Sequence, residues 1–299
     1  MMHRVTIPGL IAIGEDPSMT SLLQSSFRRL IGDRGTELGH RQAEVIAVCA
    51  QKGGVGKTTT AVNLAAGLAK RAGKKVLLVD MDAQGHCQFA LHGVIQGGSA
   101  TTLSEVLLGR RRDIREIERP TTIEGLWIAP SDKALGSAEG QMSQKIGKEF
   151  LLKSALKVAR THYDVIVIDC PPNLGSLTVN ALLAADWLLV PCDMSVLSVE
   201  GVDDIFETVE TIADTLNHDL AVLGVIRTRY DARNHKVNEA VEHSLRRHAR
   251  HVMQSRIPVN TTLAQAQLEG LPICSFSPTC RGALAYGELA DDVAKRLRF

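Results

Sequence analysis

The chain has 299 residues, with 34 Lys plus Arg against 33 Asp plus Glu, a formal net charge of +1 and 44% hydrophobic residues. That composition excludes the disordered, collagenous and disulfide-scaffold classes and fits two ordinary domains or one large α/β domain with an appendage. Bulk charge gives no reason to expect a polyanionic partner, and aromatics at 4% imply an aliphatic core.

Residues 1–43 precede the first strand and form the one separable segment. Within them Met19, Leu22, Leu23, Phe27, Leu30 and Ile31 repeat at three and four residues, with Asp16 as N-cap and Pro17 at the first helical position. The spacing predicts an amphipathic helix, packed on its own domain or serving a partner or dimer. From residue 44 to 299, β-branched runs alternate with segments of helical period, the pattern of βαβ units on a parallel sheet. The predicted strands are 45–50, 76–79, 126–129, 165–168, 187–190, 221–226 and 252–257. Most are continuous apolar runs, as buried parallel strands should be. Helices are predicted over 58–72, 148–160, 177–184, 199–216, 236–250 and 283–297.

The six cysteines are scattered singly, without C-x-x-C or zinc-ligand spacing, so their even number does not argue for disulfides. The apolar run at 7–13 is broken by Pro8 and Gly9 and lacks the form of a secretory signal. The longest apolar stretch, 181–190, contains Asp186 and falls short of the roughly 20 residues that span a bilayer. A cytoplasmic, thiol-reduced protein is expected, with no membrane partner.

Between the first strand and the first helix, residues 49–60 read CAQKGGVGKTTT. Glycines there let successive backbone N–H groups turn toward phosphate oxygens, and the helix start adds its positive dipole end. Lys57 can reach the β- and γ-phosphates, and the Thr58 hydroxyl is placed to ligate Mg²⁺. The pattern is a variant of G-x-x-x-x-G-K-S/T, with Gln51 at the first Gly position and Lys52 following. Two acidic stations follow strand ends, Asp80-Met-Asp82 and Asp169-Cys-Pro-Pro, where ligands of open α/β sheets bind. Asp169 reads as the acid holding Mg²⁺ through water. Asp80 and Asp82 diverge if the strand continues past Asp80 and converge if it turns there.

KGGVGKTT, DMDAQG, YDVIVIDCPPNLGSLTVNALLAAD and RGALAYGELADDV together resemble the ParA-type deviant-Walker ATPases, relatives of MinD and the nitrogenase iron protein, over residues 44–299 in order. The resemblance implies a three-layer α/β P-loop NTPase fold with an eight-stranded, mostly parallel twisted sheet flanked by helices. It also implies an ATP-sandwich homodimer that binds nonspecific DNA on the nucleoid and a ParB-type partner that stimulates hydrolysis. By position, Lys52 is similar to the lysine that crosses to the partner's nucleotide. Residues Gly53, Gly54, Val55, Gly56, Lys57, Thr58 and Thr59 are similar to the phosphate-binding loop. Asp82 matches the residue that positions the attacking water, with Thr58, Asp80 and Asp169 at the metal. Residues 80–86 and 169–176 are similar to two switches that report the γ-phosphate, and Pro258 and Asn260 fall where the family approaches adenine.

Three positions depart from the pattern. Ala83 replaces a Pro of the first switch, which is expected to loosen that turn, and Val259 and Thr262 replace two basic positions associated with DNA contact. Other basic residues must then carry more of the load. Residues 227–256 hold eight Lys or Arg against three acids, a net of +5 that leaves the other 269 residues at −4. The near-neutral total therefore hides a polarised distribution. On a helix over 236–250, Val237, Ala240, Val241 and Leu245 would be buried and Arg246, Arg247 and Arg250 outward. With Arg229, Arg233 and Lys236 they are the candidate phosphate-backbone contacts. The other family readings are a positioning ATPase for a non-DNA cargo and a membrane-cycling regulator of the MinD kind, which needs a basic amphipathic tail that 293–299 does not offer.

Overall fold

The computed structural model describes residues 42–97, 101–216 and 218–299. The helix expected within residues 1–43 lies outside the described residues. Eight strands form one sheet: β1 (Glu44–Val48), β2 (Val76–Asp80), β3 (Arg119–Pro120), β4 (Leu126–Ala129), β5 (Val165–Asp169), β6 (Trp187–Asp193), β7 (Ala221–Tyr230) and β8 (Val252–Pro258). Their spatial order is β3-β4-β2-β5-β1-β6-β7-β8, parallel throughout except for β3, which runs against β4. β3 was not expected; it has two residues, and its Pro120 can sit in a sheet because the strand is at an edge.

Alternation along β1 assigns its side chains to two cores. Val45 and Ala47 join Ile166, Ile168, Leu182, Val199 and Ile205 on one face, packed by α6 (Ser176–Ala184) and α7 (Val196–Leu216). Ile46 and Val48 join Leu64, Leu68, Leu78, Leu289 and Ala290 on the other, packed by α1 (Lys57–Ala72) and α11 (Arg281–Arg296). Each such Leu or Ile, fully buried, stabilises the fold by about 1.5–3 kcal/mol. Burial of both sheet faces is why the strands read as unbroken apolar runs.

The remaining helices are α2 (His86–Ala90), α3 (Leu103–Leu107), α4 (Ala134–Met142), α5 (Leu151–Ala155), α8 (His235–Leu245), α9 (Thr261–Leu268) and α10 (Ile273–Phe276). Two helical expectations are corrected. The stretch 148–160 is a 3-10 turn, α5 and another 3-10 turn, because the Asn180 amide accepts from Leu152 N and donates to Lys148 O, taking over groups a continuous helix would pair internally. The helix expected over 236–250 stops at Leu245, and Arg246–His248 form a 3-10 turn held by the His248 ring on Asp203 at 2.6 Å and on Phe206. Among the described residues, no helix is long and apolar enough to cross a membrane.

Candidate functional site

The loop between β1 and α1 turns on Gly54 (φ +77°) and Gly56 (φ +91°), backbone conformations that side-chain-bearing residues rarely adopt. A Cβ placed at Gly53, Gly54 or Gly56 would meet nothing within 4 Å, so the rim of the loop is open. From beneath, Thr228 of β7 donates to Val55 O at 2.7 Å, and Arg229 Nη1 donates to Gly54 O at 3.3 Å. Val55 is buried, which anchors the loop to the sheet while Gly53 and Gly54 stay exposed and Gly56 is half-buried.

Lys57, at the first position of α1, is buried and donates to Lys52 O at 3.1 Å across the loop. Burial lowers its pKa, an effect opposed by the negative charge of Asp169. The next residue, Thr58, donates to Asp169 Oδ2 at 2.7 Å. Thr59 follows on the same turn, and its carbonyl accepts from the Asn63 amide.

β2 ends at Asp80, so the acidic stations converge through a turn. The buried Asp80 carboxylate accepts from Asp82 N at 3.1 Å and Cys87 N at 3.0 Å. Half-buried Asp82 accepts Gln84 N on its own side chain, and its carbonyl accepts from Ser131 Oγ at 2.6 Å. Register pairs Asp80 with Asp169 across β2 and β5. Burial and the neighbouring Asp169 push Asp80 well above the ordinary carboxylate range. Asp169 is raised by burial to about 6, against the lowering effect of its bonds from Thr58 and Cys87. Its Oδ1 is buried without a hydrogen-bond partner among the described residues.

These features fit a magnesium-bound nucleotide. A buried, unpaired carboxylate oxygen beside a threonine hydroxyl is a cation ligand in waiting, and an open glycine loop with a buried lysine is an anion cradle.

Lys52 sits apart from this cluster. Its Nζ lies 3.3 Å from both Asp193 carboxylate oxygens and 2.8 Å from Ser195 Oγ, at the end of β6. Burial raises the Asp193 pKa, but bonds from Ser198 and Ser195 and the charge of Lys52 outweigh it and hold the group below its ordinary value. Sequence reasoning missed Asp193, Ser131, Thr228 and Cys87. Asp193 and Thr228 lie at the C-terminal ends of β6 and β7, on the side of the sheet where β1 ends in the phosphate loop, which is the signal that could have found them.

Pro258 ends β8, and Asn260 caps α9 by accepting Thr262 N at 2.8 Å. Asn260 therefore has a structural partner beside its expected place near adenine.

All six expected DNA contacts, Arg229, Arg233, Lys236, Arg246, Arg247 and Arg250, are exposed, Arg247 along about half of its side chain. The expected buried stripe of α8 is corrected: Asn238, Val241 and Leu245 face inward, while Val237 and Ala240 are exposed. Asn238 Nδ2 donates to Asp231 O and fixes that rotation of the helix. The segment charge is also partly consumed. Arg227 is buried, paired with Glu242 at 2.6 Å and donating to Met253 O and Gln254 O. Arg233 pairs with Asp231 and Arg247 with Asp203, while Arg246 and Lys236 have no charged partner among the described residues.

Residues 43–222 match the family described as an AAA domain. The sporulation initiation inhibitor protein Soj of Bacillus subtilis (strain 168) is 39% identical over 251 residues, covering 84% of this chain and 98% of its own. The chromosome partitioning protein ParA of Myxococcus xanthus (strain DK1622) is 37% identical over 265 residues, 89% of this chain and 92% of its own. Among solved structures, cobyrinic acid a,c-diamide synthase from Mycobacterium smegmatis with bound ATP analog and magnesium aligns at a TM-score of 0.72 and 32% identity, over 86% of this chain and 96% of that one. With the eight-stranded sheet and the deviant phosphate loop, these likenesses establish that the chain belongs to the ParA/Soj family of the ParA/MinD superfamily of P-loop ATPases.

Proposed function

We propose that the protein is an ATP-hydrolysing DNA-partition ATPase that closes as a homodimer around ATP, holds nonspecific DNA in that state and is released when a ParB-type centromere-binding or adaptor protein stimulates hydrolysis. Residues 44–299 form the ATPase domain, residues 1–43 are an appended segment, and the protein works in the cytoplasm on the nucleoid. The loop N–H groups of residues 53–59 and the Lys57 ammonium hold the phosphates. Thr58, Asp80 and Asp169 hold Mg²⁺, which when bound supplies Lewis-acid neutralisation of phosphate charge. Asp82 orients the attacking water. Lys52, released from Asp193, brings positive charge to the partner protomer's nucleotide, so that hydrolysis waits on dimerisation. Pro258 and Asn260 border the adenine.

The observation that carries the DNA reading is the course of β7. Its last residues brace the phosphate loop through Thr228 and Arg229, and the chain runs directly on to Arg233, Lys236 and the arginines after α8. A change at the loop therefore has a short covalent route to a face suited to phosphate-backbone contact, and dimerisation would double that face. Fluorescence anisotropy of a labelled, arbitrary duplex tests the proposal. Retention should require Mg²⁺ with an ATP analogue, fall steeply with salt and vanish in Lys57→Ala. Retention indifferent to nucleotide and salt would overturn it.

A further inference from the structure

Cys87 gives the cation pocket a ligand that Mg²⁺ cannot use. Asp80, Cys87 and Asp169 are all buried, and one potential ligand atom from each lies within 4.8 Å of the other two. Cys87 Sγ donates to Asp169 Oδ2 at 3.3 Å. A tetrahedral zinc site, with Zn–S about 2.3 Å and Zn–O about 2.0–2.2 Å, holds sulfur and oxygen about 3.5 Å apart, so this pair already has close to the required separation. The second observation is independent of the thiol: Asp169 Oδ1 is fully buried and unpaired among the described residues, a donor-seeking oxygen at the same cluster.

We propose that Asp80, Cys87 and Asp169 form a binding site for a thiophilic divalent cation of the Zn²⁺ and Cd²⁺ class, which occupies the pocket in place of Mg²⁺ and so prevents nucleotide from completing its metal shell. The competition with Mg²⁺ rests on that ion lying at Asp80 and Asp169 in the proposed ATPase; the thiophilic site itself does not. Mg²⁺ demands oxygen ligands in near-octahedral geometry, whereas a soft or borderline ion gains from thiolate. Three protein ligands leave a fourth tetrahedral position for a further oxygen, and the Thr58 hydroxyl already bonds Asp169. On binding, the Cys87 S–H bond breaks, its electron pair goes to the metal and its proton to solvent; nothing is oxidised or reduced.

The test is a Cd²⁺ titration of the full-length, nucleotide-free protein, followed by the ultraviolet sulfur-to-cadmium charge-transfer band. One Cys87-dependent band per chain is expected. It should be lost in Cys87→Ser and Cys87→Ala, persist in the Cys274→Ser/Cys280→Ser double variant and persist in Cys170→Ser. Thermal unfolding of the metal-free variants shows which of the two Cys87 replacements is folded and usable. Absence of a band, or a band that survives both Cys87 replacements, overturns the site. Addition of Mg²⁺ with a nonhydrolysable ATP analogue should displace Cd²⁺ and remove the band. A Cys87-dependent band indifferent to that addition keeps the thiophilic site and overturns the placement of Mg²⁺ beside it.

Discussion

Thr58 donates its hydroxyl hydrogen to Asp169 at 2.7 Å, joining the first turn of α1 to the end of β5 by a single side-chain bond. The bond brings the phosphate loop and the acidic strand end together before any ligand arrives. It satisfies one oxygen of a fully buried carboxylate and leaves the other unpaired, a costly arrangement that a cation would relieve.

The first prediction follows from that cost. Burial raises Asp169 from its ordinary 3.8 to about 6, so the folded chain keeps a proton that the unfolded chain gives up. This group's stabilising contribution is therefore full below pH 3.8 and is lost as pH rises through about 6. Denaturant unfolding of the nucleotide-free protein between about pH 4 and 7 should show stability falling with pH from this source, and Asp169→Asn should flatten that slope. Asp80, shifted in the same direction, leaves a residual slope. An identical slope in Asp169→Asn would assign the effect elsewhere.

A second prediction separates binding from chemistry at Asp82. Its side chain lies in the turn after β2, accepts Gln84 N and is half-buried, so its loss leaves the buried Asp80 and Asp169 in place. Asp82→Ala should reduce phosphate release by about 100-fold or more, the usual scale for a group that positions or activates a nucleophile, with nucleotide affinity retained. Equilibrium nucleotide binding and steady-state phosphate release, measured on the same preparation, check this. Parallel loss of both would make Asp82 a binding residue.

How far this site was legible in the sequence depends on how local each signal was. Lys57, Thr58 and the glycines lie in one contiguous loop whose spacing carries its own chemistry. Asp80 and Asp169 ended recognisable apolar runs that pair in the sheet. Cys87 carried no such signal, because its approach to Asp169 depends on a turn through Gly85 and a five-residue helix too short to show periodicity. The same brevity hid α3 and α10. At α8 the apolar pattern pointed to Val237, but a polar residue, Asn238, set the rotation by bonding Asp231 O. That choice depends on a residue in the turn before the helix and on the packing of β7, neither of which hydrophobic spacing encodes.

The basic face yields a third prediction, ordered by what each arginine already holds. Arg233 makes a bidentate contact with Asp231, whose carboxyl that contact lowers to about 2, whereas Arg246 has no acidic partner among the described residues. An arginine already neutralised releases fewer counterions on meeting a phosphate. Arg246→Glu should therefore weaken DNA retention more than Arg233→Glu and lower the slope of log affinity against log salt by about 0.9 for each phosphate that is no longer neutralised. Anisotropy titrations at several salt concentrations measure both. Equal effects would mean that Asp231 releases Arg233 on binding.

The last prediction concerns the helix pair that supports the loop. α1 packs on α11 so closely at Gly67 that an added Cβ would lie 2.8 Å from Ala290 Cβ and 3.7 Å from Tyr286 O. Two effects oppose each other in Gly67→Ala. Alanine favours the helix over glycine by about 0.8–1 kcal/mol. Overpacking a filled core costs about 1–3 kcal/mol, and here the obstructing atom is a methyl fixed to the backbone of a buried helix, which cannot rotate away. The steric cost should win, giving a net loss of up to about 2 kcal/mol that unfolding curves can resolve. Ala290→Gly in the same chain should recover part of it by removing the obstructing methyl, although the new glycine carries its own helix penalty. Because α1 begins at the phosphate loop, forcing the two helices apart should also weaken nucleotide binding, and that loss should recover with Ala290→Gly if it travels through the helix contact. A Gly67→Ala protein as stable as the parent would mean that α11 shifts freely on α1, and the close approach would then have no part in holding the loop.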